Sequence, residues 1–147
     1  PEIGENDYLV HVDTDVLFIS DKIFRYVKKN QSPVIAYNRF YHFTHIQGGC
    51  YFLKGSVVNK ITHKRIYPII IETSKKKNNR HISQLPDDAF MTLLITKVQE
   101  KIRYKRFQLP RDKTKSLIID KKYSVAHFEL NLKSKMEEYY KKLKKNW

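Results

Sequence analysis

The sequence predicts an α/β fold in one domain: a mixed sheet flanked by helices, ending in a basic amphipathic helix. Two observations carry this. Short apolar, β-rich runs alternate along the chain with segments of helical periodicity. The 147 residues, 41% of them hydrophobic, suffice for one real core and exclude a collagen-like, low-complexity or disordered chain. No repeat or interior linker divides residues 1–147, so they read as one domain, with 1–128 as its body and 129–147 as the basic C-terminal helix.

Tyr8-Leu-Val-His-Val12 reads as a buried strand ending at Asp13-Thr-Asp15, and Val16-Leu-Phe-Ile19 resumes the apolar pattern. Ser20 is placed to cap a helix of about ten residues with Ile23, Phe24 and Val27 on one face. Pro33 precedes a strand from Val34 to Tyr37. An irregular aromatic stretch, Tyr41 to Thr44, leads to Gln47-Gly-Gly49 and the strand Cys50 to Leu53. Gly55 and Ser56 open a short helix carrying Val57, Val58 and Ile61. Ile66 to Ile71 reads as an edge strand because of Pro68, and 73–80 as an exposed loop.

Leu85-Pro-Asp-Asp88 opens a further helix: proline suits its first turn, and acids suit the positive end of its dipole. Phe90, Leu93, Leu94 and Val98 form its expected apolar face. Strands are expected at Ile102 to Leu109 and Ser116 to Ile119, and Tyr123 to Phe128 contains His127. The last helix, about Leu130 to Lys145, places Leu132, Met136, Tyr140, Leu143 and Trp147 on one stripe among lysines.

The net charge is +14, and it is uneven. Residues 1–72 carry nine bases and seven acids, whereas 73–147 carry twenty bases and eight acids. Such a field attracts polyanions, unless it is simply the solvated surface of a lysine-rich protein. The bases are mostly lysine rather than arginine, which argues against a base-reading nucleic-acid partner. The single Cys50 excludes an intramolecular disulfide framework and a multi-cysteine zinc site. No apolar run is long enough to span a membrane and no signal-peptide pattern opens the chain, so a cytoplasmic or peripheral membrane location is expected.

Asp13-Thr-Asp15 stands at the end of a strand, where open α/β sheets bind ligands. Two alternate acids there suit a hard divalent cation, Mn²⁺ or Mg²⁺, although a turn capped by its own acids is the plainer reading. Gly48-Gly49 allows close backbone approach to a ligand, or a β-turn. Asp87 and Asp88 are dipole partners at a helix start, or one of them is a general base facing a cleft. His127 is a metal ligand or an ordinary half-buried histidine. Cys50, inside an apolar strand, reads as a packed small hydrophobe. There is no nucleophile elbow, and Walker and dinucleotide-binding glycine patterns are absent.

The order of these motifs is more specific than any one of them. Tyr8-Leu-Val-His-Val-Asp-Thr-Asp-Val-Leu-Phe18, Gln47-Gly-Gly-Cys-Tyr-Phe-Leu53, Leu85-Pro-Asp-Asp-Ala-Phe-Met-Thr92 and Val125-Ala-His-Phe128 together resemble the catalytic half of GT-A fold, DxD-containing glycosyltransferases. The resemblance spans about 8–128, with 59–82 unmatched. It implies a GT-A-like mixed sheet and transfer of a sugar from a nucleotide-sugar donor, a UDP-sugar first, to a glycan or other hydroxyl acceptor. It further implies that Asp13, Asp15 and His127 hold Mn²⁺ or Mg²⁺, that Gly48, Gly49 and Cys50 line the sugar and acceptor pocket, and that Asp88 or Asp87 is the acceptor base. Such domains place several strands and helices before the DxD motif. Here twelve residues precede Asp13 and the first is Pro1, so the expectation is a fold incomplete at its N-terminus, lacking the nucleotide-binding half.

A second class of function is a basic binding module for nucleic acid or an anionic membrane surface, built on 73–147. A metal-dependent phosphoesterase comes third, since it would want more clustered His and Asp. The terminal helix suits packing on the domain or lying on an anionic membrane.

Overall fold

The computed structural model describes residues 3–40, 44–62, 87–98, 100–128, 132 and 134–145. The expected strand at 66–71, the loop at 73–80 and Trp147 lie outside them.

The described elements, in chain order, are β1 (Tyr8–Val12), β2 (Val16–Phe18), α1 (Lys22–Asn30), β3 (Val34–Phe40), β4 (Thr44–Lys54), α2 (Gly55–Thr62), α3 (Asp87–Lys97), β5 (Ile102–Tyr104), α4 (Arg111–Lys115), β6 (Val125–His127) and α5 (Ser134–Lys145). They form a mixed α/β fold. One sheet has the order β1-β4-β3-β5, antiparallel except for the parallel pair β3 and β5, and a separate antiparallel ribbon joins β2 to β6.

Alternation along the sheet sorts its side chains onto two faces. Val34, Ala36, Tyr51 and Leu53 pack with Val57 of α2 and Ile95 of α3. Ile35, Cys50 and Phe52 face the other way and pack with Ile23 and Val27 of α1 and with Phe107. The register agrees, because Val34 pairs with Leu53, Ile35 with Phe52 and Ala36 with Tyr51. A third cluster holds the ribbon against α5: Ile19, Leu109, Ala126, Phe128, Tyr139 and Leu143.

Several expectations need correction. β1 is an edge strand rather than a buried one, with Leu9, Val10 and Val12 at 45%, 36% and 40% exposure. Its apolar run reflects β-propensity, while the central positions belong to β4 and β3. Helix α1 starts after Asp21, because the Ser20 hydroxyl donates instead to the Tyr123 carbonyl at 2.9 Å. Phe24 is largely exposed on that helix, where its ring meets Phe18 and Phe52 from the rim. The expected strand from Ile102 to Leu109 ends at Tyr104, with only a bridge between Gln108 and Val125 beyond. Ser116 to Ile119 is not a strand: α4 precedes it, and Leu117 takes a left-handed φ of 53°. In α3 the fully buried positions are Ala89 and Ile95; of the expected face, Leu94 is buried and Val98 packs against the core, while Phe90 and Leu93 are half-buried. In α5 Tyr139 is buried and Tyr140 is 42% exposed, so the inward stripe is Leu132, Met136, Tyr139 and Leu143. No helix among the described residues is long and apolar enough to cross a membrane.

Candidate metal centre

The site forms where the chain leaves the sheet for the ribbon. The amide of Asp13 extends the β1–β4 ladder by donating to the Gly49 carbonyl at 3.0 Å, and the Val16 amide donates to the Asp13 carbonyl at 3.1 Å to close a tight turn. Asp13 and Asp15 therefore stand on either side of the step from one sheet to the other. On the ribbon, Val16 pairs with His127, and the Phe128 amide donates to the Asp15 carbonyl at 2.7 Å. This register brings the end of β6 beside Asp15.

One side-chain ligand atom each of Asp13, Asp15 and His127 lies within 4.8 Å of the others. Two neighbouring acids and a histidine more than a hundred positions further along the chain thus converge. Their exposure is graded: the Asp13 side chain is 44% accessible, His127 15% and Asp15 12%. His127 Nε2 approaches Asp15 Oδ1 at 3.3 Å without hydrogen-bond alignment, which leaves that buried oxygen unsatisfied. A carboxylate oxygen held out of water without a donor is costly, and a cation between it and its neighbours would offset that cost. Two carboxylates and an imidazole are donors that a divalent cation takes, with room for other oxygen ligands. The residues present fit such an ion.

The surroundings hold the ligands in place. Gln47 lies with its amide nitrogen 3.1 Å from His127 Nδ1, leaving Nε2 turned to the carboxylates. Which imidazole nitrogen carries the proton follows from which end of that amide faces it. His11, which the motif reading passed over, donates from Nε2 to Asp13 Oδ1 at 3.0 Å, and its ring stacks on Tyr51 at 4.5 Å. Its signal was the His11-Val-Asp13 spacing, since alternate residues of a strand share a face.

For Gly49 the structure excludes one of its two readings, the β-turn. It has no positive φ and sits within β4, so it is not a turn glycine. A Cβ there would lie 2.9 Å from His127 Nδ1, so the residue is a glycine to admit the imidazole. Gly48 shares the segment. β4 is irregular here: between the pairs Ala36–Tyr51 and Asn38–Ile46, two steps along β3 answer five along β4. The excess bulges out as Gln47 to Cys50 and carries Gln47 and Gly49 to His127.

Cys50 is 1% exposed and packs in the α1-side core, so a ligand would meet only its backbone. Burial, with Asp13 adding to it, pushes its thiol up to about 12. Asp88 is not among the clustered ligands. It stands at the start of α3 with Oδ2 3.8 Å from the buried His45 of β4, and its Oδ1 accepts from the Ala89 amide at 2.7 Å. α3 is fixed to β4 there by the Ile46 amide, which donates to Thr92 Oγ1 at 3.0 Å. Asp87 opens α3, and its side chain lies outside what the structure describes. Compared with protein-family models, curated proteins and solved structures, the chain matches none of them.

Proposed function

We propose that this chain is the metal-binding catalytic region of a glycosyltransferase that moves a sugar from a nucleotide-sugar donor to a hydroxyl acceptor. The observation that carries the reading is the convergence of Asp13, Asp15 and His127 around an unsatisfied buried carboxylate oxygen. The order of the strand-Asp-x-Asp, glycine-pair and Pro-Asp-Asp motifs supports it from the sequence. A divalent cation held by the three residues would neutralise the departing diphosphate.

The chain's own groups do the rest. Asp15, buried, fixes the position of the charge, while Asp13 faces solvent on the approach side. Gln47 orients His127, and the backbone at Gly48 and Gly49 presents a surface without side chains to the sugar. Asp88 receives the proton of the attacking hydroxyl as general base. It stands on α3, which a hydrogen bond from the Ile46 amide to Thr92 ties to β4, the strand carrying Gln47 and Gly49.

Thermal melts with Mn²⁺ and UDP test this. A stabilisation that needs Mn²⁺ and vanishes in Asp15→Asn supports it. Asp88→Asn then leaves Mn²⁺ stabilisation intact and lowers sugar turnover by about 10²- to 10⁴-fold. Stabilisation by polyanions alone, falling steeply with salt and indifferent to Asp15→Asn, would replace the transferase with a basic binding module.

A further inference from the structure

We propose that a second site, away from the metal centre, binds a phosphoryl group: the cleft between α1, the segment after β5 and the start of β6. The cleft encloses about 400 Å³, within the range of small-molecule sites. Lys22, Lys105, Arg106 and Lys122 line it, and among the described residues no acid does. Tyr26 and Tyr123 supply aromatic walls.

The nearby acids are already committed. Asp21 accepts from Arg25 at 2.8 Å, and Asp120 accepts from Lys113 at 2.5 Å and from the Lys122 amide at 3.0 Å. Among the described residues none forms a side-chain ion pair with Lys22, Lys105, Arg106 or Lys122, although the charge of Lys122 also acts on Asp120. Two are also held in place: Lys22 Nζ donates to the Lys121 carbonyl at 2.6 Å, and Lys105 Nζ lies 4.6 Å above the Tyr26 ring. Four cations converging on a concave, partly aromatic wall suit a phosphate ester or diphosphate, with Arg106 as the forked donor.

The site is distinct from the metal centre. Ser124 lines the cleft and precedes β6, whereas His127 ends it. Three residues of extended strand put the two about 10 Å apart along the ribbon. Neither needs the other for its chemistry.

The test uses inorganic pyrophosphate with a chelator present, so that the carboxylate cluster takes no part, and calorimetry at about 0.15 M salt, where long-range attraction is screened. Wild type should bind with saturation. Arg106→Ala combined with Lys122→Ala should weaken binding by about tenfold or more. Lys141→Ala combined with Lys144→Ala removes the same charge from exposed positions of α5 and should change it less than about twofold. The same variants are measured on phosphatidylcholine vesicles with and without phosphatidic acid. Selective loss of pyrophosphate binding assigns the site to a free phosphate ester, and selective loss on the acidic vesicles assigns it to a lipid headgroup; either supports the site. Equal losses from both variant pairs, or no saturable binding to either probe, would overturn it.

Discussion

His127 Nε2 lies 3.3 Å from Asp15 Oδ1, and that oxygen is the one buried side-chain polar atom without a hydrogen bond among the described residues. The native fold holds one oxygen of this carboxylate where water does not reach it and leaves it without a hydrogen bond.

Asp15→Asn therefore has two opposite effects. Without metal, an amide removes the buried charge and should leave stability unchanged or raise it by about 1 kcal/mol. With Mn²⁺ it should abolish the ligand-dependent rise in melting temperature, a rise worth about 2.7 kcal/mol when the ion is a hundredfold above its Kd. A variant destabilised in the absence of metal would mean that Asp15 is a structural acid with partners of its own.

Gly49→Ala places a methyl group 2.9 Å from His127 Nδ1 and must displace the ring. The expected cost is about 1–3 kcal/mol, together with loss of Mn²⁺ binding. Gln47→Leu should spare the fold and weaken Mn²⁺ by about 10- to 100-fold, because it frees the imidazole rather than moving it. Titration of Mn²⁺ by electron paramagnetic resonance separates the two. Unchanged affinity in both variants would take His127 out of the ligand set.

Tyr139 is fully buried, meets the Phe128 ring edge-on at 5.2 Å and donates its hydroxyl to the Ile118 carbonyl at 3.1 Å. Tyr139→Ala should cost about 3–5 kcal/mol in denaturant unfolding, whereas Tyr140→Ala should stay within about 0.5 kcal/mol. Equal, small effects would show that α5 does not dock on the ribbon.

Burial raises the Cys50 thiol from 9.0 to about 12, with Asp13 adding to the effect. In the unfolded chain the thiol ionises first, so the folded state retains a proton that the unfolded state has lost. Stability is full below about pH 9 and falls as pH rises toward 12. Cys50→Ala should flatten that decline in alkaline unfolding curves. The native thiol should also resist alkylation at pH 8, a test that reads ionisation and access together.

The parts of this architecture legible in the sequence are those that local pattern dictates. Helix α1 shows its inward pair, Ile23 and Val27, in its spacing, and the alternation of Cys50 to Leu53 marks a strand buried on both faces. Tyr8 to Val12 was misjudged because edge and centre depend on which strands pair, and β-propensity does not report that. The stripe of α5 was legible at Leu132, Met136 and Leu143 and missed only at Tyr140, because Tyr139 and Tyr140 are chemically identical and only the Phe128 ring and the Ile118 carbonyl choose between them. At the site, the grouping of Asp13, Asp15 and His127 was implied by the order of motifs along the chain. His11 and Gln47 were not, because their roles arise from contacts with Asp13 and His127 that no spacing rule announces.

The bulge in β4 links the length of one segment to the integrity of the site. Five steps from Ile46 to Tyr51 stand against two from Asn38 to Ala36. Plain alternation over five steps would send the two side chains to opposite faces, and the bulge is what returns both to one core. Removing one residue between Gln47 and Cys50 would leave four steps, which alternation alone places on one face, so the core would close without the bulge while Gln47 and Gly49 withdrew from His127. The extra length of this stretch thus serves the histidine rather than the sheet.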